Sequence, residues 1–175
     1  MPVERKNATL MKGNPVTLVG NEVRVGSKAP EFSVLDNDNK PVTLSSLGNK
    51  TRILLSVPSL DTSVCDLEAK EFSRRAKDLP NTAILVVSVD LPFAQKRWCG
   101  AAGVHNLVVA SDHRDTSFGQ AYGVLIKEMR WLARAAFVVN PAGEVTYAEY
   151  VPVLGEQPKY DAVVQAAKEA AAAPA

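Results

Sequence analysis

A β-α-β unit is encoded by residues 51–90, TRILLSVPSLDTSVCDLEAKEFSRRAKDLPNTAILVVSVD. Its two ends, TRILLSV at 51–57 and AILVVSVD at 83–90, are short apolar runs typical of central strands covered on both faces. The apolar residues between them recur at helical spacing and form one stripe, made of Cys65, Ala69, Phe72, Ala76 and Leu79. The two runs are therefore predicted to be parallel strands joined by a helix.

The segments before this unit are predicted to be β-structure. Residues 14–26 contain PVTLVGNEVRVG, whose central Gly20 and Asn21 tolerate the positive φ of a tight turn, so an N-terminal β-hairpin is expected there. Two further short strands are expected on either side of a polar turn at 36–40.

The segments after the unit alternate between the two element types. A helix is predicted to open at Pro92, and a strand to follow at 106–111 before an irregular stretch at 112–124. Residues 132–140 and 144–151 are predicted to form a hairpin about NPAG, and a closing helix from Tyr160 to fray into a tail at 171–175. The predicted fold class is α/β, with a mixed central sheet and helices on both faces.

Composition limits the classes of function. The 175 residues, 46% hydrophobic and 22% charged, fit a single globular domain spanning residues 1–175. Lys and Arg number 20 against 19 Asp and Glu, so the net charge of +1 does not favour nucleic acid or an anionic membrane as partner. The first 20 residues lack the apolar core of a signal peptide, and nothing later resembles a membrane span. A cytoplasmic protein is therefore predicted.

Cys65 is the candidate nucleophile. Asp61 and Thr62 are good N-cap residues, so the helix should begin near them and hold Cys65 in its first turn. Free backbone N–H groups and the positive end of the helix dipole favour a thiolate over a thiol there. Asp66 and Glu68 lie in the same turns and oppose a second anion, so a cation from elsewhere in the chain is expected.

Arg134 is the candidate for that cation. It interrupts an otherwise apolar predicted strand, and a charge on a buried strand requires a partner. Strand alternation would place Leu132, Arg134, Ala136 and Val138 on one face, compatible with facing the helix of Cys65. The alternative for Arg134 is an edge-strand position from which it reaches solvent.

These residues carry a resemblance to a known family. The pattern Pro58-x-x-x-Thr62-x-x-Cys65 resembles the active-site motif of peroxiredoxins, and PSLDTSVCDLEAKEF (58–72) with RWCGAAG (97–103) resembles the thiol peroxidase subfamily. The similarity extends from GSKAPEFSVLD (26–36) to YDAVVQAA (160–167).

The resemblance implies a role for each matching residue. Cys65 would be the peroxidatic cysteine, Thr62 and Arg134 its activating partners, Pro58 the residue that shields it, and Cys99 the resolving cysteine. It also implies a thioredoxin-like fold with an N-terminal hairpin, a homodimer, reduction of peroxides with some preference for alkyl hydroperoxides, and thioredoxin as the reductant. No cofactor or metal is predicted.

The surroundings of Cys99 suit a mobile thiol. Lys96 and Arg97 precede it and should favour its thiolate, and Gly100 and Gly103 make local unfolding cheap. A disulfide needs Cα atoms within about 7 Å, whereas cysteines on separate packed helices are normally farther apart. Local opening during turnover is therefore expected, unless Cys99 is only a buried spacer beside Trp98.

Other classes of protein have weaker support. A thioredoxin-type dithiol would need C-x-x-C, but 33 residues lie between the two cysteines. A zinc site would use Cys65, Cys99, His105 and His113, but these four residues lack the closely spaced Cys or His pairs usual for structural zinc. A cysteine hydrolase would pair Cys65 with His105 or His113, but neither histidine has a recognisable orienting partner. A scaffold stapled by a structural Cys65–Cys99 disulfide is the more serious competitor. Four aromatics have no single assignment and could be core, interface or pocket residues: Phe93, Trp98, Phe118 and Trp131.

Overall fold

The computed structural model describes residues 2–172. Its strands, in chain order, are β1 Glu4–Met11, β2 Asn14–Val19, β3 Ser33–Leu35, β4 Pro41–Thr43, β5 Thr51–Ser56, β6 Thr82–Ser88, β7 Val108–Ser111, β8 Leu125–Ile126, β9 Trp131–Leu132, β10 Ala135–Val139 and β11 Val145–Tyr150. Its α-helices are α1 Ser63–Arg75, α2 Pro92–Ala102, α3 Ser117–Ala121 and α4 Tyr160–Ala172. Within residues 2–172, no helix is both long enough and apolar enough to cross a bilayer.

The central sheet is mixed, as predicted. Its seven strands lie in the order β11-β10-β5-β6-β7-β3-β4. Strands β5, β6 and β7 run parallel, and β10 pairs antiparallel with β5 from Ala135 opposite Ser56 to Val139 opposite Arg52. The β-α-β unit is therefore confirmed, and it lies at the centre of the sheet.

The N-terminal hairpin exists, but its predicted turn is wrong. Strands β1 and β2 pair around Lys12 and Gly13, which both have positive φ, so only residues 14–19 of the predicted range 14–26 are strand. Gly20 has a φ of 106° for a different reason: a Cβ there would lie 2.1 Å from the carbonyl oxygen of Gln120. Both Lys12-Gly13 and Gly20-Asn21 can adopt the positive φ of a hairpin turn, so local sequence does not distinguish them. The contact of Gly20 with Gln120 across the fold does.

Helices cover both faces of the sheet. On one face α1 and α4 pack over Ile53 and Leu55, and Trp98 and Cys99 of α2 pack against the same buried cluster. On the other face, α3 and the small sheet β1-β2-β8-β9 cover Leu54. The stretch at 112–124, predicted to be irregular, contains α3.

Two predictions near the C-terminal half need correction. The predicted strand at 132–140 is broken, because β9 belongs to the small sheet and β10 to the central one, so the chain changes sheets at 133–134. Alternation fails across that break: Ala136 and Val138 share the buried cluster of Cys65, as predicted, but Leu132 lies in the opposite cluster. Helix α4 continues to Ala172, so residues 171–172 of the predicted frayed tail are helical. Residues 173–175 lie outside the described range.

Candidate active site

Helix α1 begins as the sequence predicts. Thr62 is its N-cap, and the hydroxyl oxygen of Thr62 accepts a hydrogen bond from the backbone N–H of Cys65 at 3.2 Å. The same hydroxyl donates to the carbonyl oxygen of Ser59 at 3.1 Å. Cys65 is thereby fixed in the first turn, fully buried, where the unpaired N–H groups of the helix start favour a negative sulfur.

Arg134 contacts Cys65 directly. Its Nη2 lies 3.2 Å from the sulfur, its Nη1 lies 2.5 Å from Oε2 of Glu68, and its Nε donates to the carbonyl oxygen of Leu154 at 3.1 Å. Only 2% of Arg134 is exposed, which excludes the alternative of an edge arginine reaching solvent. Three acceptors on three sides hold the guanidinium in one orientation before any substrate arrives.

Glu68 has a role at the site that the sequence did not reveal: it pairs with Arg134, whereas it was expected only to oppose an anionic sulfur. It is completely buried, and burial raises its pKa to about 7 although the charge and hydrogen bond of Arg134 oppose the shift. Burial alone would lower the pKa of Arg134, but the charges of Glu68 and Cys65 outweigh it and raise that pKa. The position of Glu68 in the sequence could have indicated that it is buried: it lies three residues after Cys65 and four before Phe72, on the apolar stripe of the helix.

A cavity of about 590 Å³ leads to this arrangement. Pro58, Thr62 and Arg134 line it, and Pro58 is itself buried. The other walls are largely apolar and include Met11, Val64, Met129, Trp131, Val153 and Leu154. The cavity therefore combines an apolar wall with hydrogen-bond donors beside the cysteine, and Trp131 is one of its wall residues.

Cys99 lies in α2, which ends at Gly103 in the left-handed conformation with a φ of 67°. Both cysteines are free thiols, and Cys99 is half-buried. Burial raises the pKa of the Cys99 thiol, and the neighbouring Asn37 side chain offsets this only in part. The expectation that Lys96 and Arg97 favour its thiolate is therefore wrong for this state: both are exposed, and Lys96 pairs with Asp38 at 3.0 Å.

A second residue outside the motif, Asp90, holds the loop that precedes α1. Its carboxylate accepts hydrogen bonds from the Ser59 hydroxyl at 2.7 Å, the Leu60 N–H at 2.8 Å and the Ser88 hydroxyl at 2.6 Å. Asp90 lies just beyond β6, at the carboxyl end of the parallel strands, where loops converge in α/β folds. It thereby connects the Cys65 loop to the segment that leads into α2.

The histidines lie in other surroundings. His105 borders a cavity formed by Lys70, Ser73 and neighbouring residues, and the carbonyl oxygen of His113 accepts from Arg130. Among residues 2–172, no three His, Cys, Asp or Glu side chains converge as metal ligands would.

Comparison with known proteins identifies the family. The family model described as Redoxin matches residues 24–164. The chain is 54% identical over 159 residues to a thiol peroxidase of Listeria monocytogenes serotype 4b, covering 91% of this chain and 96% of the relative. It is 55% identical to the thiol peroxidase of Halalkalibacterium halodurans with the same coverage.

A crystal structure of a peroxiredoxin-like protein from Aquifex aeolicus superimposes with a TM-score of 0.88 at 41% identity, covering 94% of this chain and 97% of that one. The chain belongs to the thiol peroxidases of the redoxin family. It is accordingly a peroxiredoxin-type enzyme with a thioredoxin-like fold.

In this thiol peroxidase, the structure brings four of the five predicted site residues together. Thr62 and Arg134 contact Cys65, and Pro58 lines the same cavity as both of them. Cys99 lies on the neighbouring helix and packs against the same buried cluster as Cys65.

Proposed function

We propose that the chain reduces hydrogen peroxide and alkyl hydroperoxides through a sulfenic acid on Cys65, which Cys99 resolves as an intramolecular disulfide that thioredoxin then reduces. The observation that supports this most strongly is the 3.2 Å contact between the Arg134 guanidinium and the Cys65 sulfur at the start of α1. A fixed cation and a helix N-terminus both stabilise a thiolate, which is the reactive form of cysteine.

The first step is a displacement at oxygen. The Cys65 thiolate attacks one peroxide oxygen, the O–O bond breaks, and the other oxygen leaves as alkoxide or hydroxide and takes up a proton. Arg134 is anchored by Glu68 and Leu154, so it can donate to the peroxide oxygens without reorganising. One preorganised donor of this kind is worth about 3 kcal/mol in the transition state, or about a hundredfold in rate.

The cavity supports alkyl hydroperoxides among the substrates. Its volume of about 590 Å³ is in the range of small-molecule sites, and its apolar walls suit an alkyl chain. Because Cys65 is buried, the peroxide end would have to pass Pro58 and Thr62 to reach the sulfur.

Resolution by Cys99 would follow on the same face of the sheet. The Cys99 thiol attacks the sulfenic sulfur, the new S–S bond replaces the S–O bond, and water leaves. The packing of Cys99 against the cluster of Cys65 supports this pairing. Thioredoxin would then return both cysteines to thiols by disulfide exchange.

We also propose that residues 1–175 act as one domain and assemble as a homodimer in the cytoplasm. The exposed apolar side chains of Met129 and Trp131 at the cavity rim support a contact with a second copy.

The test is peroxide consumption with and without thioredoxin and its reductase. Wild type should turn over only with the complete system, and Cys65→Ser should not turn over at all. Cys99→Ser is the matched control, because it should consume only a stoichiometric amount of peroxide, as Cys65 becomes the sulfenic and then the sulfinic acid, and should not turn over. The stapled-scaffold alternative predicts instead that the reduced wild type is poorly folded and that peroxide is not consumed catalytically.

A further inference from the structure

One hydrogen bond joins the two helices that carry the cysteines. The indole Nε1–H of Trp98 in α2 donates to Oδ1 of Asp66 in α1 at 2.9 Å. Trp98 is the residue before Cys99, and Asp66 is the residue after Cys65. The other carboxylate oxygen of Asp66 pairs with the exposed Lys70 at 2.8 Å, so the two contacts of Asp66 can be removed separately.

The rest of α2 is held elsewhere. The side-chain amide of Gln95, which is buried, donates to the Ser88 hydroxyl and to the carbonyl oxygen of Ala110, both at 2.9 Å. These bonds fix the N-terminal half of α2 to the carboxyl ends of the parallel strands. The C-terminal half, with Cys99 and the left-handed Gly103, is tied to α1 through Trp98.

In this structure, which we call the closed state, no disulfide joins Cys65 and Cys99. The Cys65 sulfur is held against Arg134, and both cysteines are free thiols. Burial also raises the pKa of Cys99, so its attacking thiolate is disfavoured until the helix opens. A disulfide requires the two Cβ atoms to come within about 4.5 Å, closer than side chains on separate packed helices normally lie, so we expect the C-terminal half of α2 to leave its place on α1.

We propose that the Trp98–Asp66 hydrogen bond sets the rate of the resolving step, with Asp66 and Trp98 as positioning residues that keep Cys99 closed until the bond breaks. This inference rests on the proposed resolving role of Cys99. The bond is present in the closed state and absent when the cysteines meet, so it adds to the barrier of disulfide formation. It also lengthens the life of the Cys65 sulfenic acid, which excess peroxide can oxidise to the sulfinic acid.

Trp98→Phe removes the donor and keeps an aromatic ring. A hydrogen bond to a carboxylate at a partly exposed site accounts for about a tenfold change in rate, so disulfide formation should become about tenfold faster. The peroxide concentration that half-oxidises Cys65 to the sulfinic acid should rise by a similar factor. Lys70→Met is the matched control, because it removes the other contact of Asp66 and should leave the resolving rate unchanged.

The experiment mixes the reduced protein with hydrogen peroxide at concentrations that saturate the first step. Samples are quenched with a thiol-blocking reagent, and sulfenic acid and disulfide are separated by mass. The expected result is faster disulfide formation in Trp98→Phe with an unchanged first step, and a smaller acceleration in Asp66→Asn, whose amide oxygen still accepts. The Asn variant also serves if the Phe variant folds poorly.

Three results would overturn the inference. A disulfide that forms in wild type, but at the same or a lower rate in Trp98→Phe, removes the role of the bond and leaves the proposed function intact. Acceleration in Lys70→Met equal to that in Trp98→Phe would assign the effect to general loosening of α1. A wild type that forms no Cys65–Cys99 disulfide would remove the resolving step itself.

Discussion

Replacing Arg134 with Met separates the chemistry of the site from its stability. The substitution keeps much of the side-chain volume and removes the donors to the Cys65 sulfur at 3.2 Å, to Glu68 at 2.5 Å and to the Leu154 carbonyl oxygen at 3.1 Å. Loss of one preorganised donor in a buried site costs about a hundredfold to a thousandfold in rate. Sulfenic acid formation on Cys65 should slow by at least the lower of these factors.

The same substitution leaves Glu68 without its cation. Breaking a buried ion pair by removing one partner costs about 3 to 5 kcal/mol. Glu68 already has a pKa of about 7, so in the variant it can take up a proton. The loss of stability should therefore lie near the lower end of this range. The double variant Arg134→Met with Glu68→Gln carries no buried charge at this position and should recover most of the lost stability.

Two measurements on the single and double variants test this reasoning. Single-turnover mixing with peroxide gives the rate of the first step, and thermal denaturation under reducing conditions gives stability. The double variant should be stable but as slow as Arg134→Met. A double variant whose first step matches wild type would refute the role of the guanidinium, and a single variant slowed only a few fold would do the same.

Substitutions at three further positions have definite expected results. Glu68 has its pKa raised from 4.5 to about 7 in the folded state, so its protonation stabilises the fold fully below pH 4.5 and this contribution is lost as the pH rises through 7. The unfolding free energy of wild type relative to Glu68→Gln should therefore fall over that interval, and a flat difference would contradict the shift. Thr62→Ala removes the cap of α1, so it should lower the unfolding free energy by about 1 kcal/mol and slow sulfenic acid formation. Thr62→Ser keeps a capping hydroxyl and should retain both the stability and the rate of wild type. Gly20→Ala should destabilise the fold by about 3 kcal/mol in denaturant unfolding, because its Cβ would overlap the Gln120 carbonyl oxygen; a change under 1 kcal/mol would contradict this.

Local patterns predicted the central part of the fold. The apolar runs of β5 and β6 and the stripe of α1 have one periodicity each, so the β-α-β unit and the start of α1 could be placed from sequence. The N-terminal turn could not, because Lys12-Gly13 and Gly20-Asn21 both suit positive φ. Only the approach of Gly20 to Gln120, a contact across the fold, distinguishes them.

The site likewise contains residues that local sequence could identify and residues that only tertiary contacts reveal. Arg134 was detectable as a charge among apolar residues, but its position between two sheets depends on tertiary pairing. Glu68 is buried against Arg134, which reaches it from the connection between β9 and β10, 66 residues along the chain, and Asp90 bonds Ser59 across 31 residues. Such partners follow from topology, which periodicity in one sequence does not specify.

The most direct test of the account is the site of first oxidation. One equivalent of hydrogen peroxide is added to reduced wild type and to Cys99→Ser, and each is analysed by intact mass and peptide mapping. The account predicts a Cys65–Cys99 disulfide in wild type and a single added oxygen on Cys65 in Cys99→Ser. Oxidation at Cys99 while Cys65 stays a thiol would contradict the claim that Arg134 and the start of α1 make Cys65 the reactive sulfur.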